Sequence, residues 1–185
     1  FNAIRERNHL DTSFVEDAII GCVTQIGEQS ADIAKTAALA AKYSDNTSGV
    51  TVNRFCGSGL EAINQAAAYI MSGQRELIVA GGVEAMSRVP MGSDGFALLS
   101  DPEMIISRHI VPQGISADLI ATKYGYSRNQ LDCFAVESHK RASLAAQDGR
   151  FKKSIISVND MNGIMILDKD ETIRPDTNLE SLAAL

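Results

Sequence analysis

What the sequence lacks narrows the reading first. No basic block stands out among 17 Lys and Arg against 23 Asp and Glu, and the net charge of −6 argues against nucleic acid as the main partner. No apolar run approaches the length needed to span a bilayer and no signal peptide is visible, so no membrane partner is expected. Cysteine is scarce: Cys22, Cys56 and Cys133 are an odd set without C-x-x-C spacing. That pattern fits reduced thiols in the cytoplasm or an organelle matrix rather than a disulfide framework or a zinc site, and no metal is expected. There is no internal repeat and no low-complexity linker. The chain starts on Phe1 and stops within the amphipathic Ser181-Leu-Ala-Ala-Leu185, so both ends are expected to be cut.

What is present suffices for a core: 185 residues, 45% of them hydrophobic. Phe1 to Asn8 reads as the tail of a helix, with Phe1 and Ile4 on one face, and His9 to Glu16 as a polar connection. Ala18 to Val23 is an apolar run that reads as a buried strand ending near Gly21 to Gln25, with Cys22 as a core thiol. Ser30 or Asp32 is placed to cap an Ala-rich helix over Ile33 to Lys42. A second strand follows at Val50 to Val52, a helix at Leu60 to Met71 ending at Gly73, and a third strand at Glu76 to Ala80 that runs into Gly81-Gly82. Strands alternating with helices, apolar on both faces, predict an α/β fold with a mostly parallel sheet covered on both sides. In such sheets ligands bind outside the carboxyl ends of the strands, where both Cys56 and Gly81-Gly82 fall.

The chain is organised around Val50-Thr-Val-Asn-Arg-Phe-Cys-Gly-Ser-Gly-Leu-Glu-Ala-Ile63. Cys56 sits on a tight turn of small residues between a strand and a helix. Unpaired N–H groups and the dipole at a helix start favour a thiolate over a thiol, and the glycines let a bulky ligand approach the backbone. The geometry resembles a nucleophile elbow with sulfur in place of a hydroxyl. The residues alone equally allow a small buried hydrophobe packed where a strand meets a helix.

Beyond Ser87 the pattern loosens. Pro90, Gly92, Gly95, Pro102, Pro112 and Gly114 interrupt any long element, with a short helix expected over Glu103 to Arg108. His109 in this stretch reads as solvated, as does His9. Ser116 is expected to cap a helix running to Tyr124 with Ile120 and Ala121 buried. Ser127-Arg-Asn-Gln130 spells a capping box that opens a helix to Gln147. That helix places Leu131, Phe134, Ala135, Ser138, Ala142 and Ala145 on a packing face, with Cys133 as packing and His139 exposed. Two strands over Ser154 to Val158 and Ile164 to Leu167, a polar connection over Asp168 to Asn178 and a helix from Glu180 complete the chain.

These residues resemble a known family. Asn53-Arg-Phe-Cys-Gly-Ser-Gly-Leu-Glu-Ala-Ile63 is similar to the active-site segment of thiolases, and Ala80-Gly-Gly-Val-Glu-Ala-Met-Ser87 to their Gly-Gly-x-Glu-Ser-Met-Ser segment, with Ala85 in place of the usual Ser. Ile20-Gly-Cys-Val-Thr-Gln25 and Arg174-Pro-Asp-Thr177 resemble further thiolase segments in the same order. The resemblance implies a thiolase-like N-terminal core over residues 1–87 without its first strand, an inserted α+β loop region over 88–170, and a return toward the core over 171–185. It also implies acyl transfer between a 3-ketoacyl-CoA and coenzyme A, a co-substrate rather than a permanent cofactor. Cys56 would be the nucleophile that carries the acyl group, with its backbone N–H as an oxyanion donor. A homodimer or dimer of dimers is implied too.

The family's activating His, in a Gly-His-Pro-x-Gly segment, and its second Cys, in a Cys-x-Gly-Gly segment, have no match here, and His9, His109 and His139 lie in no such motif. The 185 residues are therefore expected to be inactive alone. Many thiolases carry His-Met-Gly over the acyl pocket where this chain has Pro112-Gln113-Gly114, which points to a bulkier, branched, sterol- or ring-derived acyl group. Two other readings remain: a ketoacyl-synthase-type condensing enzyme, which shares the cysteine elbow, and a non-catalytic half-domain that only dimerises.

Overall fold

β-Branched residues favour extended backbone, and the three runs rich in them pair side by side. In a computed structural model describing residues 1–185, β1 (Asp17–Gly21), β2 (Ser48–Val52) and β3 (Ile78–Gly82) form a parallel sheet in the order β2-β1-β3. Ile19 in the central strand lies level with Val50 on one side and Ala80 on the other. Helices α1 (Asn2–Arg7), α2 (Ile33–Ala40) and α3 (Ser58–Met71) accompany the strands.

Alternation along the strands divides the core between two faces. Ala18, Ile20 and Val79 join Ala34 and Ala38 of α2, together with Val15 and Tyr43, in one buried cluster; Ile19 joins Ala62 and Ala66 of α3 in the other. Burial on both faces is why the strands read as unbroken apolar runs. The expected α/β class, a parallel sheet flanked by helices, is what the chain adopts.

Small residues set how closely the layers approach. A methyl group built on Gly21 would lie 2.2 Å from the Ser58 carbonyl carbon and 2.5 Å from the Gly59 nitrogen, so the first turn of α3 rests directly on the end of β1. At Gly82 the same construction meets the Gly59 Cα at 3.2 Å. Asp32 caps α2 by accepting from the Lys35 amide and from Thr51 Oγ1 at 2.9 Å, tying the helix to β2.

β1 ends at Gly21, at the near edge of the expected range, where the Glu84 carboxylate takes up the Val23 and Thr24 amides. β3 extends through Gly81 and Gly82 because their backbones pair with Ile20 and Gly21, whatever their side chains lack. Past β3, Asp101 caps α4 (Pro102–Ser107) through the Glu103 and Met104 amides.

The chain divides into two compact units, Phe1–His109 and Ile110–Leu185. The second holds α5 (Gln113–Tyr124), α6 (Arg128–Gln147), the antiparallel pair β4 (Val158–Asn159) and β5 (Met165–Leu167), and α7 (Leu179–Ala183). The capping box of Ser127 and Gln130 forms as read. Ser116 does not cap α5: the helix starts at Gln113, because the Pro112 carbonyl already accepts from the Ile115 and Ser116 amides. The first of the two expected strands, Ser154 to Val158, keeps only Val158: Phe151 to Ile155 turns on the Phe151 carbonyl, and β4 continues into Asn159.

The face of α6 expected to be packed is open: Phe134 is 79% exposed, Leu131 and Cys133 are exposed, and no residue of α5, α6 or α7 is buried. The five-residue α7, held to α6 by Arg128 through the Leu182 carbonyl, is too short to cover it. No helix of the chain is long and apolar enough to cross a membrane.

The contact at Gly21 leads to a prediction. Gly21→Ala in the full-length protein forces α3 off the strand and lowers the unfolding free energy by about 3 kcal/mol, whereas Gly81→Ala, with nothing within 4 Å, stays close to the parent. Urea unfolding reads both; equal midpoints for the two variants contradict the close-approach account.

Candidate active site

The site is built from the bottom of a turn. Val52 ends β2, and the chain must reverse onto α3 within five residues. Asn53 begins the reversal: its Oδ1 accepts from the Phe55 amide at 2.8 Å, and its Nδ2 donates to the Val23 carbonyl at 3.1 Å, linking the turn to the exit of β1. Phe55 then adopts a left-handed φ of 47°, a conformation unfavourable to a bulky residue. The Gly57 and Ser58 amides donate to the Arg54 and Phe55 carbonyls at 3.1 and 3.0 Å. Arg54 reaches forward to Glu61 of α3, with 2.7 Å between Nε and Oε2, and Gln65 supports the same carboxylate from one helical turn on. Hydrogen bonds from Gln65 and Arg54 hold the Glu61 carboxyl below the usual range.

Cys56 lies on this turn and is exposed. Gly57 is the N-cap of α3 and Ser58 its first residue, so the thiol sits one position before the cap. Within these residues Cys56 is not buried against the strand or the helix. The amides of Cys56, Gly59 and Leu60 meet no acceptor within the chain. Unpaired donors beside an exposed sulfur are what addition to a carbonyl requires: a nucleophile and hydrogen bonds for the charge that develops on oxygen.

The neighbouring strand ends are joined by a polar clasp that sequence reasoning missed. Gln29, 4% exposed, donates from Nε2 to the Thr24 carbonyl at 2.9 Å and to Glu84 Oε1 at 2.8 Å, while its Oε1 accepts from the Ala85 amide at 2.6 Å. Glu84 Oε2 accepts from the Val23 amide at 2.8 Å. Partial burial raises the Glu84 carboxyl, but the Val23, Gln29 and Thr24 donors together outweigh it and hold the group below its ordinary value. Burial, reinforced by the Glu84 charge, pushes the Cys22 thiol up, which suits an inert core cysteine. A Gln in the loop after one strand and a Glu two residues past the neighbouring Gly-Gly exit were the visible signal.

Pro112, Gln113 and Gly114 are all exposed and lie in the second unit, at the start of α5 rather than in a loop. A cleft of about 810 Å³ in that unit is lined by Ser143, Gln147, Phe151, Lys152, Asp168 and Pro175 among others, and Pro112–Gly114 does not line it. His139 is partly covered rather than exposed, and its Nδ1 accepts from the Arg174 amide at 3.2 Å. His9 and His109 are exposed, as read from the sequence.

Glu84 carries a pH prediction. Its pKa is lower folded than unfolded, so its contribution to stability is present above the ordinary carboxylate range and is lost as pH falls through the lowered value. Glu84→Gln in the full-length protein lowers stability at pH 7 by about 1 kcal/mol, a figure discounted for the partial exposure of the side chain. In urea titrations the deficit shrinks as pH falls below about 4; a deficit constant across pH contradicts the clasp.

Comparison with known proteins agrees with this geometry. The family model described as "Thiolase, N-terminal domain" matches residues 1–185. The 3-ketoacyl-CoA thiolase of Shewanella sp. (strain MR-7) is 44% identical over 181 residues, which cover 95% of this chain and 46% of that protein. The 3-ketoacyl-CoA thiolase of Acinetobacter baumannii (strain AYE) is 42% identical over 186 residues, covering 99% of this chain and 47% of that protein. The chain thus spans about half the length of the curated relatives it matches. A match over the full 185 residues, with the exposed cysteine turn at the carboxyl end of a parallel sheet, makes this chain a member of the thiolase family, corresponding to its N-terminal domain.

Proposed function

We propose that this chain supplies the nucleophile of an acyltransferase that moves an acyl group between a 3-ketoacyl-CoA and coenzyme A. The observation that carries the reading is the exposed Cys56 on the turn from β2 to α3, beside amides without acceptors. In the cleavage direction the Cys56 sulfur adds to the 3-keto carbon, and the carbonyl π pair moves onto oxygen. Collapse of that oxyanion breaks the bond between C2 and C3, and the electron pair leaves on C2, where a proton from a general acid completes acetyl-CoA. The thiolate of coenzyme A then adds to the acyl-Cys56 carbonyl and expels the cysteine sulfur.

The general acid and base belong outside the 185 residues, since none of the three histidines lies in a Gly-His-Pro-x-Gly segment. Residues 1–87 serve as the catalytic core, 88–170 as the loop region and 171–185 as the return segment. Pro112 and Gln113 stand, before Gly114, where many thiolases carry an imidazole and a thioether, which changes the polarity and shape of the acyl pocket in favour of a bulky or ring-derived acyl group. The partners are acyl-CoA substrates and a second copy of the chain, in a reducing compartment. Neither the condensing-enzyme nor the assembly-only reading has an observation here in its favour, and the relatives are named thiolases.

Two experiments test this reading. In the full-length protein, iodoacetamide near neutral pH modifies Cys56 well ahead of the buried Cys22 and faster than the exposed Cys133; equal, slow labelling of Cys56 and Cys133 contradicts an activated sulfur. Purified residues 1–185 do not cleave acetoacetyl-CoA, whereas the full-length protein turns over longer or cyclic 3-ketoacyl-CoAs better than acetoacetyl-CoA. Turnover by the 185 residues alone overturns the division of chemistry, and a preference for acetoacetyl-CoA overturns the substrate assignment.

A further inference from the structure

We infer that Ser58 is the positioning residue for the Cys56 amide, fixing the peptide plane between Phe55 and Cys56 so that its N–H is held toward the oxyanion; this rests on the acyl-transfer reading above. The Ser58 side chain is buried, and its residue is 4% exposed. Its hydroxyl accepts from the Arg54 amide at 2.9 Å and donates to the Phe55 carbonyl at 2.5 Å. The Ser58 amide donates to the same carbonyl at 3.0 Å. One oxygen of the turn is therefore anchored twice by one residue.

That oxygen belongs to the peptide unit whose other end is the Cys56 N–H. A trans peptide is planar, and its C=O and N–H point in opposite directions. Anchoring the carbonyl consequently fixes where the N–H points, and donation to the carbonyl polarises the unit and strengthens what its N–H can donate. The anchor opposes a real tendency, because Phe55 holds a left-handed φ of 47° that relaxes at a gain unless its neighbours prevent it.

The helix itself does not need the hydroxyl. Gly57 is the N-cap and makes no side-chain cap bond, and the Ser58 hydroxyl reaches back into the turn rather than along α3. Ser58 therefore acts through the backbone on the oxyanion donor and leaves the sulfur's own reactivity to other groups. An alkylation that forms no oxyanion and an acyl transfer that does respond differently to its loss.

Ser58→Ala and Ser58→Thr in the full-length protein, with thiolysis of a 3-ketoacyl-CoA and iodoacetamide labelling of Cys56 measured on each, test this. Ser58→Ala lowers kcat about ten- to a hundredfold, below the loss for deleting an oxyanion donor outright, with KM within about twofold of the parent. Its Cys56 alkylation rate stays within about threefold of the parent, and Ser58→Thr, which keeps a hydroxyl, recovers most of kcat. Unchanged kcat in Ser58→Ala, or alkylation falling in proportion to kcat, overturns the inference. If Ser58→Ala does not fold, Ser58→Cys, similar in shape with a weaker donor, takes its place, and a parental kcat there overturns it equally. Cys56→Ser run alongside separates the two levels. Full thiolysis in Cys56→Ser removes the acyl-enzyme reading and this inference together, whereas its loss beside an unaffected Ser58→Ala removes this inference alone.

Discussion

The seating of a helix end on bare backbone is the constraint from which the site follows. Where β1 ends, Gly21 presents no side chain, and the first turn of α3 occupies the space a methyl group would take. Gly59 and Gly82 continue the same contact to the adjoining strand. Because the helix starts so close to the sheet, the chain from Val52 to Ser58 must turn tightly, and the residue before the N-cap is displaced outward. Cys56 is that residue, and it is exposed together with Asn53, Arg54 and Phe55 of the same turn.

Around this contact the polar groups are arranged in two tiers. Below, Gln29 and Glu84 pin the exits of β1 and β3, leaving few degrees of freedom to the loops at the carboxyl end of the sheet. Above, Asn53, Ser58 and the Arg54–Glu61 pair hold the shape of the turn and tie it to the exit of β1 and to α3. The amides left over are those of Cys56 and the first turn of α3. A turn held in this way offers those amides in a fixed direction, as preorganised catalysis requires.

Much of this was legible in the residues, and the exceptions have physical causes. The strand–cysteine–helix order could be read because β-branched runs, small turn residues and an alanine-rich helix each signal locally. The end of β3 could not, because Gly81 and Gly82 join the sheet through backbone pairing with Ile20 and Gly21 that no side chain signals. Gln29 could not be placed, because its polarity argues for solvent, yet its amide is buried and bonded to Thr24, Glu84 and Ala85. The start of α5 was misplaced because Ser116 looked the better cap, while the Pro112 carbonyl had already begun the helix. The face of α6 shows the limit of periodicity: an apolar stripe states that a helix wants cover, yet Leu131 and Phe134 stay exposed within this unit. Pro112, Gln113 and Gly114 were tied to the pocket by resemblance alone, and no local physics could place them against Cys56.

The central claim is that one sulfur carries the acyl group. It is tested most directly by mixing the full-length protein with an acyl-CoA, quenching in acid and mapping the acylated peptide by mass spectrometry. The account predicts a thioester on Cys56 and none on Cys22 or Cys133. Acylation of either of those instead, or turnover with no acyl group ever trapped on Cys56, contradicts it.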